Sequence, residues 1–274
     1  MTFSIVARSA DGQSWGVAVA SKFLAVGNAV PAAVAGIGAL ATQAEANLSW
    51  KGIGLSLLDE GATAQVALDR LLEEDDKRDH RQAGIVDVDG NAVTHTGSAC
   101  FDWAGGVTGE GVAIQGNILT GPEVVEAMHA AWDASDPDGP LARRLLAALT
   151  AGDEAGGDKR GRQSAALLVV SEGAGYGGLD DVAVDLRVDD ATAPVGELAR
   201  LLDLNDLYLT ASTEDEKVQV TAELAAEIDD LVRAAGHPDL ASWVGTENYE
   251  MRVADDGSWI DSRILAVLRG EGGA

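Results

Sequence analysis

The run in this chain best equipped for acyl or amide chemistry is Gln115-Gly116-Asn117, which closes an uncharged stretch beginning at Gly111. Two carboxamides around a glycine supply the N–H donors that an oxyanion hole requires. The same residues also suit a turn whose amides cap backbone groups. Gln43 and Asn47 follow another uncharged run and are placed to line a pocket. Gly156-Gly-Asp158-Lys-Arg160-Gly-Arg162-Gln-Ser164 is the densest cationic segment of the chain. Its glycines, lysine and hydroxyl do not fall in P-loop order, so nucleotide binding is not expected. Asp158, Arg160 and Ser164 suit a group that holds an α-amine or a substrate carboxylate, and equally a structural ion-pair network. Lys22, one of five lysines, follows an uncharged strand. Thr2 becomes N-terminal once Met1 is removed, as its small side chain favours. His80, His95, His129 and His237 lack metal-ligand spacing, so neither a metal nor a cofactor is expected. Cys100, the single cysteine, has no evident base beside it and reads as a buried thiol.

The surroundings of these residues are strongly acidic. The 274 residues carry 45 Asp and Glu against 19 Lys and Arg, a formal charge of −26 spread along the whole length. Phosphate backbones need clustered cations, so nucleic acid is excluded as an expected partner. An evenly acidic surface also suits a salt-rich interior, where screening removes most of the self-repulsion, and a halophilic host is the expectation. With one cysteine, no basic and apolar leader at the start and no apolar run near about 18 residues, the chain reads as cytoplasmic with no membrane partner.

The elements that must position the chemistry follow from periodicity. Thr2 to Arg8 and Trp15 to Ser21 read as a hairpin around Ser9-Ala10-Asp11-Gly12, and Ala33 to Gln43 as one buried strand. Trp50 to Glu74 repeats apolar residues at helical spacing, divided into two helices by Gly61. A hairpin follows over Gly84 to Val88 and Ala92 to Thr96, then the strand ending at Asn117. Helices Glu123 to Ala134 and Leu141 to Ala151, with strands Gln163 to Val170 and Ala183 to Val188, complete the pattern. Runs of strands alternating with helix pairs predict an α+β fold in which helices pack outside antiparallel sheets. Helices are predicted over Val195 to Leu204 and Glu214 to Ala235, and the polar gap from Thr210 to Thr213 marks a domain boundary. Trp243, Tyr249 and Trp259 give the tail the makings of a core of its own.

Several blocks are distinctive: MTFSIVAR, WGVAVASKFLAVGNAVP, GALATQAEAN, RQAGIVDVDGNAVTHTG, DWAGGVTGEGVAIQGNIL, and GGDKRGRQSAALLVV followed by VDLRVDD. In this order, over residues 1–206, they resemble an uncharacterised group of the N-terminal-nucleophile (Ntn) hydrolase superfamily, a domain of unknown function. The resemblance implies a four-layer α-β-β-α sandwich. It also implies that the first residue of the mature chain attacks an amide carbonyl with its own α-amine as base, a group whose pKa of ~7.7–8.0 leaves it substantially neutral near pH 7. Thr2 matches that nucleophile and Ser4 is a weaker candidate on the same strand face. Lys22 resembles the buried lysine such sites keep beside the nucleophile, although its spacing from Thr2 is shorter than in proteasomes. A plain strand start for Thr2 and a solvated strand-end lysine are the alternatives.

On this basis Thr2, Lys22, Asn117 and Asp158 are the expected catalytic set. Gln43, Asn47, Gln115, Arg160 and Ser164 are the expected substrate contacts. Residues 213–270, notably AAGHPDLASWVGTENYEMRV and SWIDSRILAVLRG, resemble a small helical module labelled peptidoglycan-binding. The expected function is an amidohydrolase acting on a small amide or peptide, working as a homo-oligomer. A non-catalytic Ntn-fold protein that binds a ligand or a partner is the alternative.

Overall fold

A computed structural model describes residues 2–271. The chain divides into two compact units at Leu201/Leu202. The first contains β1 (Thr2–Arg8), β2 (Ser14–Ser21), α1 (Val26–Ala29), β3 (Pro31–Val34), β4 (Gly38–Ala44), α2 (Ser49–Asp59) and α3 (Ala64–Glu73). It continues with β5 (Arg81–Asp87), β6 (Ala92–Thr96), β7 (Gly105–Gly109), β8 (Val112–Asn117), α4 (Glu123–Ala134), α5 (Leu141–Glu154), β9 (Ser164–Ser171) and β10 (Val182–Val188). Mixed helices and antiparallel sheets make the fold α+β.

Strand pairing begins locally. The turn between β1 and β2 is held by Asp11, whose carboxylate accepts from Ser9 Oγ at 2.6 Å and Gln13 N at 3.0 Å, while Gly12 takes φ 73°. The run from Ala33 to Gln43, expected as one strand, is a hairpin. Gly36 at φ 71° and Gly38 at φ 153° reverse the chain, and Val34 pairs with Gly38. Asp87 holds the β5–β6 turn by accepting from Asn91 N at 2.9 Å, and also accepts from Ala64 N at 2.9 Å at the start of α3. β7 went unread in the sequence because its glycines leave little hydrophobic signal.

Six strands form one sheet in the order β10-β9-β2-β1-β8-β7, and four form another in the order β3-β4-β5-β6. Helices α4 and α5 pack on the first sheet, α2 and α3 on the second. Alternation along each strand sorts the side chains. Leu40, Ala83 and Ile85 pack outward with Trp50, Leu68 and Leu71 of the helices. Val6, Val17, Val19, Ala39, Ala41, Val86 and Ala113 meet between the sheets. Continuing those inward registers toward the N-terminal end of β1 leads to Thr2, Ser4, Ser21, Gln43, Gln82, Gln115 and Asn117, every one buried. The space between the sheets is therefore apolar at one end and polar at the other.

Helix α6 (Pro194–Tyr208) carries the division between the units. The second unit adds β11 (Lys217–Gln219), α7 (Ala222–Ala234), α8 (Leu240–Glu247), β12 (Trp259–Asp261) and α9 (Ser262–Arg269). The helix expected from Glu214 starts only at Ala222. Thr221 caps it by accepting from Leu224 N, and Lys217–Gln219 pairs with Trp259–Asp261 instead. Ile228, Val232, Trp243, Tyr249, Ile260 and Ile264 form the core. Beside it the buried Arg252 donates to Asp261 at 2.9 Å, with Ser212 donating to the same carboxylate at 2.6 Å. Trp259 is half-buried beneath the Lys217 ammonium, 4.8 Å from its ring centroid.

Candidate functional site

The polar end between the sheets is organised around residue 2. β1 runs between β2 and β8, so Thr2 lies opposite Asn117 on one side and next to the end of β2 on the other. Its side chain is buried, with Oγ1 3.0 Å from Ser21 Oγ. Its carbonyl accepts from Gln43 Nε2 at 3.3 Å and Asn117 Nδ2 at 3.5 Å. Those carboxamides converge on Gln82 Oε1, at 2.8 Å from Gln43 Nε2 and 2.9 Å from Asn117 Nδ2, while Gln82 Nε2 donates to Gly116 O at 2.7 Å. Ser4 continues the network: its hydroxyl donates to Gln43 Oε1 at 2.7 Å and accepts from Gln115 Nε2 at 2.7 Å. Buried amides that satisfy one another form a rigid platform, since each lost partner strands a buried polar group.

One member is incompletely satisfied. Gln115 Oε1 is buried with no hydrogen-bond partner and lies over Gly84, where a Cβ would come within 2.1 Å of it. Gly84 is thus the position that lets Gln115 enter the space between the sheets. The backbone is strained beside this platform: Ala44 follows Gln43 at φ 67°, and Ile118 follows Asn117 at φ 48°. A β-branched residue in the left-handed region is uncommon, and such strain persists only where surroundings impose it.

The cationic segment reaches the same end of the unit because Leu119 bridges Asp158 and Lys159 N donates to Ile118 O at 3.3 Å. Asp158, itself buried, accepts from Lys22 N at 2.6 Å and Arg160 N at 2.8 Å. Ser164 accepts from Val26 N at 3.1 Å and donates to the Phe23 carbonyl. Asp158 and Ser164 therefore clamp the backbone of residues 22–26, the loop leaving Ser21. The Lys22 side chain is exposed, and its ammonium donates to Arg162 O at 3.4 Å. Arg160 contacts Asp158 Oδ2 at 3.3 Å with its side chain 45% exposed.

Asn47 belongs to an adjoining cluster. Its Nδ2 donates to Asp75 Oδ2 at 2.8 Å and its Oδ1 accepts from Ser49 Oγ at 2.7 Å at the start of α2. Arg81, immediately before Gln82, donates to both oxygens of Asp75, at 2.9 and 3.2 Å, and also to the Glu45 carbonyl. Chiefly through Arg81, the Asp75 carboxyl is held down to about 2. Cys100 donates to Arg81 O at 3.4 Å, and burial pushes its thiol up, away from thiolate chemistry.

Residues 2–198 match the model of a family of unknown function, DUF1028. The chain belongs to the DUF1028 family. A crystal structure of a DUF1028 protein from Silicibacter pomeroyi is 33% identical, with a TM-score of 0.69 over 76% of this chain and 91% of that one. A second solved structure, Anbu, an ancestral β-subunit from Yersinia bercovieri, is 11% identical with a TM-score of 0.34, covering 74% of this chain and 94% of that one. A likeness of that degree carries no argument. No curated protein matches the sequence. The DUF1028 match ends at residue 198 and lends no support to a peptidoglycan-binding role for the tail. No helix among the described residues is long and apolar enough to cross a membrane.

Sequence reasoning passed over two members of this DUF1028 site. Ser21, which touches the Thr2 hydroxyl, and Gln82, the hub of the carboxamides, are polar residues at inward positions of apolar strands. That mismatch between residue type and period is a signal that a strand-by-strand reading can detect.

Proposed function

We propose that this DUF1028 protein is an amidohydrolase of Ntn type acting on a small amide or peptide, with Thr2 as nucleophile after loss of Met1. The helix, sheet, sheet, helix stacking of its first unit is consistent with the four-layer sandwich of that class. One observation carries the reading: the Thr2 hydroxyl lies buried 3.0 Å from Ser21 Oγ, while the residue's own carbonyl is gripped by Gln43 and Asn117. A strand start used only as a strand start has no need of two buried carboxamides on its first carbonyl. In the proposed reaction the free α-amine takes the hydroxyl proton and Oγ1 bonds to the substrate carbonyl carbon. The amine leaving group departs with that proton, and water then cleaves the acyl ester to regenerate Thr2. Asp158 and Ser164 position the loop beyond Ser21 in this scheme, and Asn117 holds residue 2 at the angle of attack.

A specific observation favours the second reading, a non-catalytic protein of the same fold. The Lys22 ammonium donates to Arg162 O at the surface, where the Ntn scheme wants a cation beside the nucleophile. The experiment that separates the two is intact mass followed by covalent labelling. The catalytic reading expects a chain lacking Met1 that an electrophilic β-lactone labels at Thr2, with no labelling of Thr2→Ala and partial reactivity in Thr2→Ser. Retention of Met1, or equal labelling of wild type and Thr2→Ala, hands the site to the binding reading.

A further inference from the structure

At the opposite end of β1 from Thr2, six residues and about 20 Å of strand away, lies a cavity of ≈310 Å³ lined by Arg8, Gly90, Glu110, Trp132 and Arg144 among others. Its two guanidinium groups are unusual in this chain. Arg8 Nε is buried with no hydrogen-bond partner, and its guanidinium carbon lies 5.8 Å from the Trp15 ring centroid. Arg144 is buried, stacked on Trp132 at 3.8 Å, and bonded only to neutral oxygens: Nε donates to Ser135 Oγ at 2.9 Å and Nη1 to Pro137 O at 3.3 Å.

Among the described residues, neither arginine is in an ion pair. A shortage of carboxylates is not the reason, since acidic residues outnumber basic ones 45 to 19. Arg81, Arg162 and Arg187 of the first unit do pair, with Asp75, Asp153 and Asp185, and its other unpaired arginines, Arg70 and Arg78, are exposed to solvent. Space is also kept for Arg8. Added Cβ atoms would lie 2.0 Å from its Nη2 at Gly12 and 3.4 Å from its Nη1 at Gly90, and both glycines have positive φ. The acidic groups around the cavity are Asp89 and Glu110, exposed on its rim, with Asp11 near Arg8 and Asp136 and Asp138 near Arg144.

We propose that this cavity binds a small zwitterion, an amino acid or a dipeptide, with its carboxylate against Arg8 and Arg144 and its ammonium group toward Asp89 and Glu110. Planar guanidinium groups match a carboxylate, and the fork of Arg144 is already oriented by its stack on Trp132. The cavity volume falls at the lower end of small-molecule pockets, roughly 300–1,000 Å³. A phosphate dianion satisfies the arginines but meets the rim carboxylates with like charge, whereas a zwitterion satisfies both signs. The inference stands apart from the Thr2 reading and uses none of its residues.

Calorimetric titration of the full chain tests it with glycylglycine, N-acetylglycylglycine, glycylglycinamide and inorganic phosphate. Glycylglycine is expected to bind one to one, and removal of either terminal charge to weaken it about tenfold or more. Arg8→Gln, which removes no hydrogen bond of the fold, is expected to weaken glycylglycine by a similar factor. Glu110→Gln alters an exposed side chain and is expected to weaken glycylglycine while sparing N-acetylglycylglycine. Circular dichroism verifies that each variant is folded, and the Glu110→Gln arm carries the test if Arg8→Gln is not. No saturable binding of glycylglycine up to roughly 20 mM overturns the proposal. So does tighter binding of phosphate, or an affinity lost in Thr2→Ala but unchanged in Arg8→Gln.

Discussion

Replacing Asp75 with Asn tests how the cluster beside the Gln82 platform is held. The carboxylate is 8% exposed, accepts two bonds from Arg81 at 2.9 and 3.2 Å, and adds Asn47 Nδ2 and Lys77 N, each at 2.8 Å. These donors, Arg81 foremost, lower its pKa from 3.8 to about 2. At 1.36 kcal/mol per unit that corresponds to about 2–3 kcal/mol of stability. Because the folded value is depressed, this contribution is fully present above pH ~4 and is lost as pH falls toward ~2. Asp75→Asn also leaves the buried Arg81 guanidinium without its charge partner. The expected cost at pH 7 is therefore about 2–4 kcal/mol. Urea unfolding of both proteins at pH 7, 5, 4, 3 and 2, followed by circular dichroism, measures the difference. The gap between them should begin to narrow below pH ~4 and be mostly closed near pH 2. A gap under ~1 kcal/mol at pH 7, or one that stays constant down to pH 3, refutes the reasoning.

Other perturbations follow from the same geometry. Gly84→Ala sets a methyl where Gln115 Oε1 now lies, and is expected to destabilise the first unit by about 1–3 kcal/mol, read as a lower urea midpoint. If Gln115→Ala fails to relieve that loss in the double variant, the clash is not its source. Asp261→Asn leaves Arg252, 1% exposed, without its nearest carboxylate and should cost the second unit about 3–5 kcal/mol, measured through loss of the buried Trp243 fluorescence signal. Below pH ~4 the Asp261 contribution fades in wild type as well, because its pKa lies below the usual value despite burial, held by Ser212 and Arg252.

Much of the frame was legible because periodicity and punctuation act locally. Asp11-Gly12 marked the first hairpin and Gly61 the break between α2 and α3. The strand ending in Gln115-Gly116-Asn117 was visible as polar residues closing an apolar run. Where local signals compete, the reading failed. Gly36 and Gly38 made a turn inside an apolar stretch, and Lys217–Gln219 became a strand because Trp259–Asp261 was there to pair with it. Residue types and their order thus determined which segments are strands or helices and which residues bear the chemistry. Tertiary structure alone decided that Thr2 touches Ser21, that four carboxamides meet between two sheets, and that Lys22 turns toward Arg162 while Asp158 holds its backbone. Those contacts join positions from 19 to 140 residues apart, and their distances follow from strand order and register, which no local pattern encodes.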